Sequence, residues 1–171
     1  MTSVSRASPA IATTKGNTDL YNAILPGLRS SPKYTPHWYN YDKRGSELFH
    51  ISANRNPHYH IYQVESSLLN RYADDIVSPY GEGSIIADLG AGDCSKPRIL
   101  IEALLKKNGT CTFYPVDVAK EFVEENSRRL IDEYPGLEVH PLAGENQHGL
   151  KYLQGFAEPS LSLISETVSV P

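Results

Sequence analysis

The chain has 171 residues, a formal net charge of -4 and two cysteines; hydrophobic residues make up 40% of it and charged residues 21%. This profile is typical of one globular domain that is large enough to bury a core. The acidic balance indicates no nucleic-acid partner, and no apolar run approaches the roughly 20 residues of a membrane span. Two cysteines do not make a disulfide framework, so we expect a cytoplasmic protein.

The first 80 residues divide into a tail and a helical segment. Residues 1–17 are predicted to be a disordered tail; the alternative is a transit peptide, because the stretch is rich in Ser, Thr and Ala and holds Arg6 and Lys15 but no acid. Residues 18–80 are predicted to be an N-terminal helical segment. We expect three helices in this segment, at about 19–25, 46–51 and 60–77. Pro26-Gly27 is expected to end the first of them.

Aromatic and polar side chains of the helical segment are candidate ligand contacts. Residues 30–42 are dense in aromatics and proline, and either line a pocket or pack on the core. His58 and His60 face one side if the segment is extended, but no second Cys/His cluster accompanies them, so we predict no metal. Glu65 lies near the apolar face of the third helix, where it either binds a substrate ammonium or is a solvated charge.

The strongest signal lies in residues 84–96. Their apolar, β-branched start predicts a buried parallel strand, and Gly90-x-Gly92 lets the backbone turn sharply and a ligand approach closely. A second strand is predicted at 111–117, and it ends in Asp117. A carboxylate there can accept both hydroxyls of an adenosine ribose, so strand, glycine turn and acid together predict a nucleotide-binding site.

Strands and helices alternate through the rest of the chain. Helices are expected at about 97–107 and 119–134, a third strand at 137–144, and a short helix after Gly149. This β-α-β-α-β order predicts an α/β fold with a parallel sheet and right-handed crossovers. We assign residues 81–157 to this partial Rossmann-like domain.

Residues 158–171 are expected to be an atypical tail that alternates serine with leucine, isoleucine and valine and adds no strand. Three strands are about half of an open doubly wound sheet, so the sheet is predicted to be incomplete. Its third strand then has an unpaired side that the tail or a partner has to cover. Self-association through this edge follows as a hypothesis.

The residues of the glycine turn distinguish between nucleotides. A dinucleotide fingerprint has a third glycine where Ser95 stands, which argues against an oxidoreductase, and the Gly-Lys-Ser/Thr of a P-loop is absent. Asp88 followed by Gly-x-Gly favours S-adenosyl-L-methionine (SAM). Asp88 either orients the turn or receives the SAM ammonium. Lys96 either pairs with the SAM carboxylate or is a solvated first-turn residue.

Cys94 also lies in the glycine turn. It is either a reactive thiol or, as we favour, a small side chain that only fills space in the packing.

A set of motifs spread over about residues 20–155 occurs together in one known family. The motifs are Trp38–Phe49, Pro57-His58-Tyr59, Glu65, Asp88–Gly92, Lys96, Pro115–Val118 and Tyr134–Val139. Trp38–Phe49 is similar to the family's YD-x-x-G-S-x-L-F segment. Together they resemble the histidine-specific N-methyltransferases, which include the histidine Nα-methyltransferases of the ergothioneine pathway and the fungal dimethylallyltryptophan N-methyltransferases.

The resemblance implies a class I SAM-dependent methyltransferase fold and methyl transfer to the α-amino group of an amino acid such as histidine. It implies that Gly90, Lys96 and Asp117 contact SAM, with Gly92 in the same turn. Glu145 stands where the family has the Asp of Gly-Asp-Phe, near the adenine. In-line methyl transfer depends mainly on alignment, so no catalytic residue is assigned.

The resemblance also implies that residues 18–80 form the substrate side, where Tyr59 touches the amino acid and Tyr41 lies close by. The family usually has Tyr-Tyr where this chain has Tyr59-His60, which predicts a different substrate preference. The family continues into a strand, a G-S-x-x-G-N loop and a second lobe, and we expect none of these after Phe156, since the serine-rich tail does not resemble the expected strand. We therefore expect reduced or no activity, or alternatively an inactive module that pairs with a full-length partner.

Overall fold

A computed structural model of the protein describes residues 17–36, 39, 43–56, 59–155 and 160–164. The predictions for Tyr41, His58, Phe156 and residues 1–16 lie outside the described residues. Within the described part of the chain, no helix is both long enough and apolar enough to cross a membrane.

Among the described residues, three helices precede the sheet: α1 (Asn17–Arg29), α2 (Lys43–Arg55) and α3 (Ile61–Val77). The prediction of a helix at 60–77 is confirmed by α3, and α2 extends beyond the predicted 46–51 at both ends. The prediction that Pro26-Gly27 ends the first helix is wrong, because Pro26 lies inside α1. Proline removes one intrahelical hydrogen bond and its ring crowds the carbonyl four residues earlier, but α1 nevertheless continues for three residues beyond Pro26. The end of α1 is instead closed by Ser30, whose N–H and hydroxyl both donate to the Gly27 carbonyl.

Strands and helices then alternate as predicted. In chain order they are β1 (Ile85–Leu89), α4 (Ser95–Asn108), β2 (Cys111–Asp117), α5 (Lys120–Glu133), β3 (Leu137–Val139), β4 (Leu142–Ala143), α6 (Asn146–Leu153) and β5 (Ser160–Ile164). The third strand, predicted as continuous over 137–144, is split into β3 and β4 around His140 and Pro141. Pro141 has no N–H to donate to the sheet, which explains the break.

The sheet is parallel and has the strand order β3-β2-β1-β5, with β4 also paired to β2. This confirms the α/β Rossmann-like class. The expectation that the tail adds no strand is wrong for residues 160–164, because β5 pairs with β1 over all five residues, from Ile85–Ser160 to Leu89–Ile164. The alternating Ser-Leu-Ser-Leu pattern is itself typical of a strand.

The core holds β1 in place from both faces. All five residues of β1 are buried, and successive side chains point to opposite faces. Ile86 packs in one apolar cluster with residues of α3 and α4, whereas Ile85, Ala87 and Leu89 pack in a second cluster with Val116 of β2. Each isoleucine, leucine or valine side chain buried in these clusters contributes about 1.5–3 kcal/mol relative to exposure. The carboxyl end of β1 is therefore a rigid base for the turn that follows it.

Candidate cofactor site

The glycine turn after β1 is tied to the end of β2. The N–H groups of Gly90 and Ala91 both donate to the Val116 carbonyl, at 2.8 and 3.0 Å. Gly90 has φ +80° and Gly92 has φ +53°, in the left-handed region that glycine adopts without strain. The two predicted glycines thus let the chain reverse direction directly beside the second strand.

Asp117 meets this turn from the end of β2. Its Oδ2 atom accepts the N–H of Gly92 at 2.9 Å, and its Oδ1 atom accepts the N–H of Ala119 at 2.8 Å. Burial raises the pKa of Asp117 above its usual value, although the backbone donors of Ala119 and Gly92 oppose the rise. Each carboxylate oxygen has a second lone pair, so both can still accept a hydroxyl group.

Lys96 lies in the first turn of α4 and forms an ion pair with α3. Its Nζ atom is 3.0 Å from Oε2 of Glu65, and its side chain is 21% exposed against 46% for Glu65. One residue earlier, the Ser95 hydroxyl is 2.6 Å from the Tyr62 hydroxyl. Lys96 and Glu65 therefore bind each other, while the interpretations of Lys96 as a SAM contact and of Glu65 as a substrate contact stay predictions.

Cys94 precedes α4 and is buried, with φ +59°. Burial raises the pKa of its thiol, and the nearby carboxylates of Asp88, Asp93 and Asp117 add to the rise. A thiol that stays protonated is a poor nucleophile. The structure thus supports the interpretation of Cys94 as a small side chain that fills space in the packing.

Asp88 is buried at the end of β1, beside the turn.

Glu145 lies at the same edge of the sheet, where α6 begins. The neighbouring Gly144 donates its N–H to the Asp117 carbonyl at 2.9 Å. The Glu145 carbonyl accepts the N–H groups of His148 and Gly149, while the residue itself is exposed. Glu145 thus follows directly after a residue that is hydrogen-bonded to Asp117, and its contact with the adenine stays a prediction.

The predicted substrate contact Tyr59 is held by α2. Its ring makes an edge-to-face contact with Phe49, with centroids 6.2 Å apart, and its N–H donates to the Asn56 carbonyl. Tyr59 lies two residues before the start of α3, the helix that carries Glu65. Because Tyr41 is outside the described residues, the predicted Tyr59–Tyr41 neighbourhood stays a prediction.

Asn126 supports the glycine turn and was not singled out by the sequence. Its buried side-chain amide donates to the Gly92 carbonyl at 3.3 Å and to the Phe122 carbonyl at 3.0 Å. The signal that could have revealed it is a polar residue on the apolar face of α5. Buried amides of this kind usually have a specific hydrogen-bonding role.

A cleft of about 390 Å³ lies beside the turn, between α2, α4 and α5. It is lined by Glu47, Ile51, Asp93, Arg98, Phe122, Asn126, Arg129 and Leu130. None of the five predicted cofactor residues, all of them described, is part of this lining. The cleft is therefore lined by other residues than the predicted cofactor contacts, although Asp93 and Asn126 adjoin the glycine turn.

The groups at the sheet edge fit the parts of SAM. A half-buried carboxylate that can accept further hydrogen bonds, as Asp117 can, suits a ribose diol, and a lysine ammonium suits a carboxylate. The glycines leave the backbone of the turn without side chains where a ligand would approach. Among the described residues, no group of three or more His, Cys, Asp or Glu side chains is placed to hold a metal ion.

Comparisons with known proteins agree with this geometry. The family model described as "Histidine-specific methyltransferase, SAM-dependent" matches residues 20–164, which include β5. The earlier expectation that the resemblance stops near residue 155 is therefore wrong. The family is SAM-dependent, which makes SAM the expected cofactor.

Individual relatives have related names. The chain is 28% identical to a histidine N-alpha-methyltransferase of Mycobacterium tuberculosis, over 79% of this chain and 41% of the relative. It is 30% identical to the N-methyltransferase dtpB of Aspergillus flavus, over 68% of this chain and 32% of the relative. With the ergothioneine biosynthesis protein 1 of Neurospora crassa it shares 25% identity, over 74% of this chain and 14% of the relative.

The matched part thus spans less than half of the length of these relatives. Within the chain itself, however, the family match covers most residues and includes the turn, Lys96, Asp117 and Glu145. The chain belongs to the histidine-specific, SAM-dependent methyltransferase family.

Proposed function

We propose that this chain binds SAM at the carboxyl edge of β1 and β2 and serves methylation of the α-amino group of an amino acid such as histidine. The observation that carries the proposal is the contact between Asp117 and the glycine turn, with Oδ2 of Asp117 2.9 Å from the Gly92 nitrogen. This contact fixes a carboxylate next to an open backbone turn, which is the arrangement that holds a nucleoside.

Each site residue has a separate task in this proposal. Asp117 accepts the two ribose hydroxyls, Lys96 pairs with the carboxylate of the methionine end, and Glu145 lies near the adenine. SAM itself supplies a methyl group activated by the sulfonium to which it is bonded. The protein has only to hold donor and acceptor in line and exclude water from between them.

We infer that the helical segment forms the substrate side, with Tyr59 and Tyr41 as amino-acid contacts. The name of the Mycobacterium tuberculosis relative, a histidine N-alpha-methyltransferase, supports an amino-acid substrate. Turnover by this chain alone is proposed to be low, because methyl transfer depends on alignment and the matched part is under half of the length of the relatives.

A cytoplasmic location without a nucleic-acid partner is also part of the proposal. Both cysteines are free and buried, which suits a reducing compartment.

A second proposed function is that of an inactive module that pairs with another polypeptide through the sheet. The observation that favours it is the strand order, in which β5 is the last strand on one side among the described residues. An edge strand presents unpaired backbone groups to a partner. A five-residue strand offers more such groups than the three residues of β3 at the opposite edge.

The experiment that tests the first proposal is calorimetric titration of the purified chain with SAM. We expect the parent to bind SAM and Asp117→Ala to bind at least tenfold more weakly, since the lost charged hydrogen bonds are worth about 1.5–3 kcal/mol. The matched control is Asp132→Ala, which removes an exposed acid from α5. Circular dichroism checks that each variant is folded. A folded parent that does not bind SAM would refute the proposal.

A further inference from the structure

Two residues of α3, Tyr62 and Glu65, contact the first turn of α4, where the proposed cofactor contact Lys96 lies. Tyr62 and Ser95 share a hydroxyl–hydroxyl hydrogen bond of 2.6 Å, and Glu65 and Lys96 form an ion pair of 3.0 Å. The two partners are 33 positions apart in sequence in the first contact and 31 in the second, so both contacts join separate parts of the chain. We call them the α3–α4 clasp.

We propose that Glu65 is a positioning residue for SAM, which holds the Lys96 ammonium where it meets the carboxylate of the methionine end. Tyr62 is the second point of the same device, since it fixes Ser95 beside Lys96. The proposal rests on the proposed SAM site and deepens it. It makes the N-terminal helical segment a part of the cofactor site, in addition to its proposed substrate role.

The chemistry of lysine supports this role. Lysine has a flexible four-carbon stem and three N–H donors on its ammonium, so an unrestrained lysine loses much rotamer freedom when it binds a ligand. The ion pair with Glu65 restricts the stem before the ligand arrives and uses one of the three donors. The other two donors remain available for a carboxylate. The partial burial of Lys96 strengthens the pair relative to an exposed one.

Electrostatic repulsion predicts the opposite outcome, which makes the role of Glu65 testable. Glu65 is negatively charged and would repel the SAM carboxylate if it acted only through its charge. In that case its removal would tighten SAM binding. If Glu65 acts by positioning Lys96, its removal weakens SAM binding, and a glutamine at the same place, whose carbonyl still accepts the lysine N–H, restores much of the affinity.

The experiment is calorimetric titration of the full chain with two ligands, SAM and 5′-methylthioadenosine. The second ligand keeps the adenosine but lacks the amino-acid end. We expect Glu65→Ala to weaken SAM binding about fivefold, the value of one rotamer-rich side chain that must be ordered, and Glu65→Gln to weaken it less. Binding of 5′-methylthioadenosine should be unchanged in both variants.

A double-mutant cycle shows whether Glu65 acts through Lys96. In the background of Lys96→Met, we expect Glu65→Ala to have no further effect on SAM affinity. Tyr62→Phe, which removes only the hydroxyl, should also weaken binding of SAM and leave that of 5′-methylthioadenosine unchanged. The matched control is Asp74→Ala, which breaks the ion pair between Asp74 of α3 and Lys106 of α4. That pair joins the same two helices but is 3.2 Å long, about three-quarters exposed and remote from the glycine turn.

The possible failures can be told apart. If Glu65→Ala weakens the binding of SAM and of 5′-methylthioadenosine equally, Glu65 has a merely structural role. If the variant binds SAM more tightly, Glu65 acts by repulsion. Either result overturns the positioning role and leaves the proposed SAM site standing. A parent that binds 5′-methylthioadenosine and SAM equally well has no working Lys96 contact, which also overturns it. A parent that binds neither ligand refutes the proposed function itself.

Discussion

Asp117 illustrates how much of the site depends on one side chain. It accepts hydrogen bonds from two backbone N–H groups and thereby joins the glycine turn to the start of the α5 region. The same carboxylate is the proposed acceptor of the ribose hydroxyls. An aspartate side chain can do both because its two oxygens together offer about four acceptor positions. Any change at Asp117 is therefore expected to affect the shape of the turn as well as the ligand.

The ionisation of Asp117 leads to a prediction for the pH dependence of SAM binding. The carboxylate is the form that accepts hydroxyl hydrogens at both oxygens, and burial raises its pKa. We expect SAM affinity to fall as the pH is lowered from neutral, and to do so at a higher pH than an exposed aspartate would cause. Titrations with SAM over a pH series, with Asp117→Asn for comparison, measure this. If the SAM affinity of Asp117→Asn falls with the same midpoint pH as that of the parent, another group causes the effect.

The pH dependence that Asp117 gives to the free energy of unfolding is opposite to the pH dependence of SAM binding. A raised carboxyl pKa means that folding favours the protonated form. The stabilisation that Asp117 itself provides in that form is therefore lost as the pH rises through the folded-state pKa. Binding and stability thus respond to pH in opposite directions at Asp117, which is typical of a group retained for a ligand.

Sequence reasoning located the residues whose role depends on local pattern. Gly90, Gly92 and Asp117 were predictable because a strand, a turn and a second strand fix their positions within one unit. The pair of Glu65 and Lys96 was not, although each residue was noted separately. Their partnership depends on how α3 lies against α4, and no local pattern encodes a contact between residues 31 positions apart.

At the scale of elements, periodicity predicted α3 and α5 closely because apolar residues recur at helical spacing over many turns. The failures have separate local causes. Pro26 lies inside α1, Pro141 divides the third strand, and the serine-rich run at 160–164 forms β5. The polar–apolar alternation at 160–164, which follows Pro159, is typical of a strand, but its place in the sheet depends on pairing with β1, a contact between residues distant in sequence.

The packing of α6 on β2 predicts the effect of Gly149→Ala. A Cβ atom at Gly149 would lie 2.7 and 2.8 Å from the two methyl carbons of Val116. Alanine in a helix normally gains up to about 1 kcal/mol over glycine, but this overpacking costs about 1–3 kcal/mol. We therefore expect a net loss of stability, measured by urea unfolding, and a shift of α6 away from the proposed SAM edge.

Two controls accompany the Gly149 variant. Gly81→Ala places its Cβ in open space and should change stability by less than about 0.5 kcal/mol. Val116→Ala removes the methyl groups that cause the clash, so adding Gly149→Ala in that background should cost less than it does in the parent. A stabilised Gly149→Ala protein would mean that α6 does not lie this close to β2.

For the whole molecule, the strand order makes β1 the best protected part of the sheet and β5 a strand with one unpaired side among the described residues. Both neighbours of β1 are parallel to it, and its side chains are buried on both faces. Parallel sheets are rarely left open at a long edge, because unpaired backbone groups recruit other strands. The β5 edge is therefore where the second proposed function, pairing with another polypeptide, would take place.

The proposed pairing predicts that the molar mass of the purified chain rises with protein concentration in light scattering. A charged residue on an edge strand disfavours further strand pairing, so Ser162→Lys in β5 should keep the protein monomeric at concentrations where the parent associates. Ser67→Lys, which adds the same charge at an exposed position of α3, should associate like the parent. If the parent stays monomeric throughout, self-association at this edge is refuted. If both lysine variants lose association equally, net charge and not the β5 edge controls it.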